Sequence, residues 1–178
     1  MNVLGFSGSL RRESSNTRLL QVAMALAPAG LDITLANTLG ELPHFSPDTA
    51  VESVPVVNGF VAEVRSCDGI LVSSPVYAGG YPGTLKNALD WLVGTDAFIG
   101  KPFAFLSASN RVPAVQASLR VVLETMGGIH VPDATTLVPI LGKKLETVEL
   151  MADRSYSRAI ESALVAYQAY LETRNEET

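Results

Sequence analysis

The chain has 178 residues, 47% of them apolar and 17% charged, which supplies one sizeable core and excludes disorder or coiled coil as a description of the whole. Its formal charge of −5 is unevenly placed: residues 1–145 carry 10 Lys/Arg against 11 Asp/Glu, and residues 146–178 carry 3 against 7. A nearly neutral body with an acidic end argues against a nucleic-acid binder and a polybasic membrane patch, and no apolar run approaches the roughly 18 residues of a membrane span.

The elements alternate from end to end. Val3-Leu4-Gly5-Phe6 reads as a first strand, stopped by Ser7-Gly8-Ser9. Leu19, Leu20, Ala23, Met24 and Ala27 then recur at helical spacing, ending at Pro28 and Gly30. Ile33-Thr34-Leu35 is a second strand. Residues 37–55, with Pro43, Pro47 and Pro55, read as a long loop. Val56, Val57, Phe60, Val61 and Val64 form a helix stripe, and Ile70-Leu71-Val72 a third strand. Leu85, Ala88, Leu89 and Leu92 form another helix face, followed by the strand Phe103-Ala104-Phe105-Leu106. Val115, Leu119, Val122 and Met126 make a fourth helix, stopped by Gly127-Gly128. Thr135–Val138 is a fifth strand, and Ile160, Ala163, Leu164, Tyr167 and Leu171 a closing helix.

Five βα repeats with short strands apolar on both faces predict an α/β fold. It is a three-layer, doubly wound, five-stranded parallel sheet in the order 2-1-3-4-5. No linker divides the chain, so residues 1–174 are expected to be one domain and 175–178 a frayed tail. The start MNVLGFSGS lacks a basic leader and Cys67 has no disulfide partner, so a cytoplasmic location is expected.

In such a sheet ligands bind past the carboxyl ends of the strands, where the strand order reverses. The loops after Phe6, Ser73 and Leu106 should therefore meet. The first, Gly8-Ser9-Leu10-Arg11-Arg12-Glu13-Ser14-Ser15-Asn16-Thr17, brings hydroxyls, an amide and two guanidiniums to a helix N-terminus, a donor set suited to a phosphate. The plain alternative is an N-cap at Ser14 or Asn16 with Arg11 and Arg12 solvated. The spacing is neither G-x-G-x-x-G nor a Walker loop, which points to a mononucleotide rather than a dinucleotide. The second loop, from Ser74 through Val76, Tyr77, Ala78 and Gly79 to Asn87, has three glycines and two prolines that let backbone lie against a flat ring. A helix-initiating turn explains it equally well. The third, Ser107-Ala108-Ser109-Asn110-Arg111-Val112-Pro113, is small and polar, as a capping turn would be.

Two of these stretches carry a resemblance. GSLRRESSN resembles the phosphate loop of the NAD(P)H-dependent FMN reductase family, which includes chromate, quinone and azo-dye reducing members. SPVYAGGYPGTLKNALDW resembles that family's Pro-x-Tyr, Pro-Gly and Leu-Lys-Asn-Ala-hydrophobic-Asp-Trp segment. Leu42-Pro43-His44-Phe45-Ser46-Pro47-Asp48 and Gly100-Lys101-Pro102 match weaker patterns, and the likeness covers about residues 2–140.

The resemblance implies a flavodoxin-like fold, bound FMN, and NADPH or NADH as reductant. It implies a phosphate loop of Ser9, Leu10, Arg11, Arg12, Ser14, Ser15 and Asn16, ring contacts from Pro75, Val76, Tyr77 and Ala78, and a third-loop contact from Ser109. It also implies a homodimer or a pair of dimers, and a small-molecule electron acceptor. Many members have Glu and Asn where this chain has Val76 and Ala78. Val76 resembles the branch that supplies free reduced flavin, and the third loop is short, so the acceptor stays open among free flavin, quinone and similar molecules.

Hydride transfer is the cofactor's chemistry and needs no protein acid or base, so no catalytic residue is assigned. His44 and His130 read as surface or packed residues, and Cys67 as a small buried one. The chain has no Cys/His cluster for a metal. Trp91 reads as core or interface, and Lys86–Asp90 as a helix-stabilising pair. The rival function is a flavodoxin-type electron carrier without direct NAD(P)H oxidation. The basic loop and near-neutral body stand against it.

Overall fold

The computed structural model describes residues 1–109 and 113–176. Its elements are β1 (Asn2–Ser7), α1 (Ser15–Ala25), β2 (Asp32–Leu35), α2 (Pro55–Ser66), β3 (Gly69–Ser73), α3 (Gly83–Val93), β4 (Pro102–Ser107), α4 (Pro113–Thr125), β5 (Ile129–His130), β6 (Thr136–Leu137), α5 (Thr147–Ala152) and α6 (Arg154–Glu176). All strand pairings are parallel, in the order β2-β1-β3-β4-β5 with β6 also against β4. This is the flavodoxin-like order expected from the βα alternation.

Strand alternation sorts the core into two layers. Leu4, Phe6, Ile70, Val72, Phe103 and Phe105 point toward α2, α3 and α4. Val3, Ile33, Leu71, Ala104 and Leu106 point toward α1 and α6. β4 shows the division most plainly, with phenylalanines on one face and smaller aliphatics on the other. Full burial of each such phenylalanine stabilises the fold by about 1.5–3 kcal/mol relative to exposure. α6 closes its side of the sheet with Ile160, Ala163, Leu164, Tyr167 and Leu171, all buried at helical spacing.

The fifth strand differs from the expectation. Thr135–Val138 supplies only the second half of it. The place beside β4 is filled by two short pieces, Ile129–His130 against Pro102–Phe103 and Thr136–Leu137 against Leu106–Ser107. A 3₁₀ turn at Pro132–Ala134 separates them. In the gap the Thr135 hydroxyl accepts the Phe105 N–H at 3.2 Å, taking the role of a missing strand carbonyl. Two further features lay outside the periodicity. α5 is a six-residue helix begun by a Glu146/Glu149 capping box, and α6 runs to Glu176, past the tail expected at Asn175.

Candidate functional site

The carboxyl ends of β1 and β3 are joined directly. The Gly8 N–H donates to the Ser73 carbonyl at 2.9 Å, extending the parallel ladder into both loops. A Cβ on Gly8 would collide with the Ser74 side chain, so only glycine allows this approach. The two loops at the reversal of strand order are therefore neighbours.

Within the first loop Ser14 is the N-cap of α1: its Oγ accepts the Thr17 N–H at 3.3 Å. Asn16 is buried and faces β3, where its Oδ1 accepts from Ser73 Oγ at 3.2 Å. Both side chains thus have structural work, and of the two capping candidates Ser14 is the one realised. Ser7 Oγ and Thr17 Oγ1 lie 2.7 Å apart beneath the loop. Ser9 Oγ accepts the Arg11 N–H at 3.3 Å. Leu10 is exposed but rests on Gly40. Arg11 and Arg12 are exposed, and neither guanidinium has a partner among the described residues. The first-turn N–H groups at Ser15 and Asn16 have no intrahelical acceptor. Unpaired N–H groups, two unpaired guanidiniums and a glycine-permitted close approach form a donor set that fits a phosphate.

The second loop folds into a tight hairpin. Tyr77 and Gly80 exchange backbone hydrogen bonds, both 2.9 Å, around Ala78 and Gly79 at φ 49° and 78°. Positive φ at both central residues is the type I′ signature. The hairpin leaves Tyr77 55% exposed at its base. Pro75 and Val76 are half-buried and border a narrow cleft shared with Ser107 and Gln116, so the second loop meets the end of β4 and the start of α4.

Ser109 is buried at the end of β4 and lines a cavity of about 600 Å³ with Ser107, Gln116, Arg120, His130 and Thr136. The third-loop residues Asn110, Arg111 and Val112 lie outside the described residues. His130 read as a surface or packed histidine away from any candidate site. The structure keeps it packed, against Phe103 and Phe105 at centroid distances of 5.3 and 5.7 Å, yet on the wall of this cavity. Its Nε2 lies 2.9 Å from Thr135 Oγ1. Burial first, and then the Arg120 charge, pull its pKa below 6.5, with Glu124 opposing. Nothing in the local sequence could place His130 there, because the split of the fifth strand does so.

The Leu-Lys-Asn-Ala-Leu-Asp-Trp segment anchors the long loop. Asn87 Oδ1 accepts the Phe45 N–H at 2.8 Å, and its Nδ2 donates to the Pro43 carbonyl at 3.0 Å. Trp91 is buried, donates from Nε1 to the same carbonyl at 2.8 Å and meets Phe45 edge-on. Lys86 pairs with Asp90 one turn on. His44 lines a second cavity of about 580 Å³ between this loop and α3. Lys101 explains the Gly-Lys-Pro pattern: its Nζ donates to the Arg65 and Cys67 carbonyls and so closes the end of α2. Cys67 is buried, and desolvation pushes its thiol pKa up, as for a packing residue.

Comparison with known proteins bears on this arrangement. A family model described as NADPH-dependent FMN reductase matches residues 1–140. The chain is similar to an NAD(P)H-dependent FMN reductase of Pseudomonas aeruginosa, 41% identical over 112 residues that span 61% of this chain and 60% of the relative. It is also similar to a 2-hydroxy-1,4-benzoquinone reductase of a Burkholderia species, 36% identical over 105 residues and 57% of each chain. The matched stretch thus spans about three fifths of the length of these curated relatives. Among solved structures, a flavoenzyme NAD(P)H:acceptor oxidoreductase from Paracoccus denitrificans superposes with a TM-score of 0.82 at 25% identity, over 97% of both chains.

Proposed function

Because the chain belongs to the NADPH-dependent FMN reductase family, we propose that it is an FMN-dependent NAD(P)H oxidoreductase that passes electrons to a small acceptor of the quinone or free-flavin class. FMN, when bound, supplies the two-electron chemistry, receiving hydride from the nicotinamide and giving it up to the acceptor. The protein's part is to bind and orient. Arg11, Arg12 and the first-turn N–H groups of α1 would hold the phosphate, with Ser9 and Ser15 beside them. The turn Pro75–Ala78 would lie along the ring, and Ser109 would close the site from β4. Ser14 and Asn16 act beneath the loop, through the cap and the bond to Ser73. The quinone and FMN reductases among its relatives support the acceptor class. The chain is proposed to work as one domain, cytoplasmic and dimeric or a pair of dimers, as the family resemblance implies.

The observation that carries this reading is the pair of unpartnered guanidiniums on a loop that Gly8 ties to the Tyr77 hairpin. An absorbance spectrum of the purified protein, reconstituted with FMN and then given NADPH without oxygen, tests it. A yellow protein that bleaches at once and recovers colour on adding benzoquinone or free FMN supports the reading. A protein that never binds FMN overturns it. A yellow protein that NADPH does not bleach is an electron carrier instead.

A further inference from the structure

The anion-binding loop contains one acidic side chain, Glu13, set between Arg12 and the cap residue Ser14. A carboxylate there opposes an incoming phosphate. Its charge is nevertheless engaged elsewhere. Arg18, in the first turn of α1, donates from Nη2 to Glu13 Oε2 at 2.9 Å. The same Nη2 lies 3.4 Å from Glu146 Oε2. A cation in the first turn of a helix is unfavourable toward the helix dipole, and the Arg18 side chain is only 12% exposed. The two carboxylates are what make that placement tolerable.

Glu146 is itself fixed. It is the N-cap of α5, its side chain accepts the Glu149 N–H, and Glu149 Oε2 accepts the Glu146 N–H at 2.7 Å. The segment leading into it is held by Lys143, whose Nζ donates to the Tyr156 hydroxyl and lies 5.0 Å over that ring. A short helix beyond residue 140, past the matched part of the chain, thereby reaches back to the loop through one guanidinium. Arg18 Nη2 is committed to these carboxylates, which sets it apart from Arg11 and Arg12.

We propose that Arg18 is a positioning residue: anchored by Glu146, it draws the Glu13 carboxylate off the anion-binding loop, so that the loop prefers a phosphorylated flavin to its dephosphorylated form. This rests on the reading that the loop holds the FMN phosphate.

Fluorescence titrations of the full chain with FMN and with riboflavin test it, on wild type, Arg18→Gln, and Arg18→Gln with Glu13→Gln, at low and high salt. Freeing one unit charge beside the phosphate should weaken FMN binding about tenfold in Arg18→Gln, with riboflavin changed less than about twofold. Adding Glu13→Gln should restore FMN binding to within about twofold, and high salt should shrink the Arg18→Gln effect. Glu146→Gln keeps a capping acceptor but loses the anchor, and should weaken FMN in the same direction. It carries the test if Arg18→Gln does not fold. Equal weakening of both flavins in a natively folded Arg18→Gln means a merely structural role and overturns the proposal. So does absence of rescue by Glu13→Gln, or unchanged FMN affinity. A wild-type chain that binds neither flavin overturns the proposed function itself, whereas one that binds FMN with a flat mutant cycle overturns only the role of Arg18.

Discussion

The Tyr167 hydroxyl is inserted into the sheet at Ile70: it accepts the Ile70 N–H at 2.7 Å and lies 2.8 Å from the Pro102 carbonyl. The hydroxyl thus bridges the Ile70 N–H and the Pro102 carbonyl, so a side chain from α6 joins β3 to the start of β4 where the two backbones do not bond directly. The fit is tight enough that a Cβ on Gly69 would collide with the hydroxyl. Burial pushes the phenol pKa well up, so the group stays a protonated donor. Tyr167→Phe removes only the oxygen and leaves the Ile70 N–H buried without a partner. A loss of about 1–3 kcal/mol in unfolding free energy is expected from urea titration. A loss below about 0.5 kcal/mol would mean that water replaces the hydroxyl.

The hairpin contains a mismatch between residue and backbone. Ala78 has a φ of 49°, the only non-glycine with positive φ among the described residues. A Cβ in that region costs about 1–2 kcal/mol, and asparagine tolerates it better. Ala78→Asn creates the Asn-Gly pair most favoured in a type I′ turn. The substitution should raise stability by about 0.5–1 kcal/mol, seen as a higher urea midpoint at unchanged slope. A lower midpoint would show that the Ala78 side chain makes a contact that outweighs its backbone cost.

Much of this architecture was legible because the strands are buried on both faces. Ile70-Leu71-Val72 and Phe103-Ala104-Phe105-Leu106 stand out as apolar runs for that reason, and their alternation with helical stripes yields the sheet order. The hidden parts depend on distant partners. The split of the fifth strand turns on the Thr135 hydroxyl meeting Phe105, 30 residues away. Tyr167 reads as one more apolar position of a helix face until β3 supplies its hydrogen bond. In the loop, the resemblance places Asn16 among the phosphate residues, and the sequence does not show that the helical phase burying Leu19 and Leu20 also turns its side chain inward to Ser73. Glu13 and Arg18 are both in plain view in the sequence, yet only the arrival of Glu146 from α5 reveals them as a connected set.

Arg11 should separate phosphate binding from ring binding. It is exposed and has no partner among the described residues, so Arg11→Ala disturbs no native contact seen here. If the guanidinium bonds the phosphate, the variant should lose about 1.5–3 kcal/mol of FMN affinity and keep its riboflavin affinity. Thermal unfolding without flavin should be unchanged. Undiminished FMN affinity would show that Arg11 does not hold the phosphate and would overturn its assignment to the phosphate loop.

His130 gives the fold a pH dependence whose sign follows from its surroundings. Burial against Phe103 and Phe105, with Arg120 alongside, lowers its pKa from 6.5, while Glu124 acts in the opposite direction. A histidine whose folded pKa is depressed binds fewer protons in the native state than in the unfolded chain. Its neutral form carries no penalty above pH 6.5, and stability falls as the pH drops from there toward the folded pKa. Below the folded pKa the loss is complete and the dependence levels off. His130→Asn retains a polar group beside Thr135 but does not titrate. Urea unfolding from about pH 8 down to about pH 5 should therefore show wild type losing stability relative to the variant through the lower half of that range. Parallel pH profiles would mean that His130 titrates alike in the folded and unfolded chains. A profile in which wild type gains on the variant as the pH falls would mean that the Glu124 carboxylate, rather than burial, governs the ring.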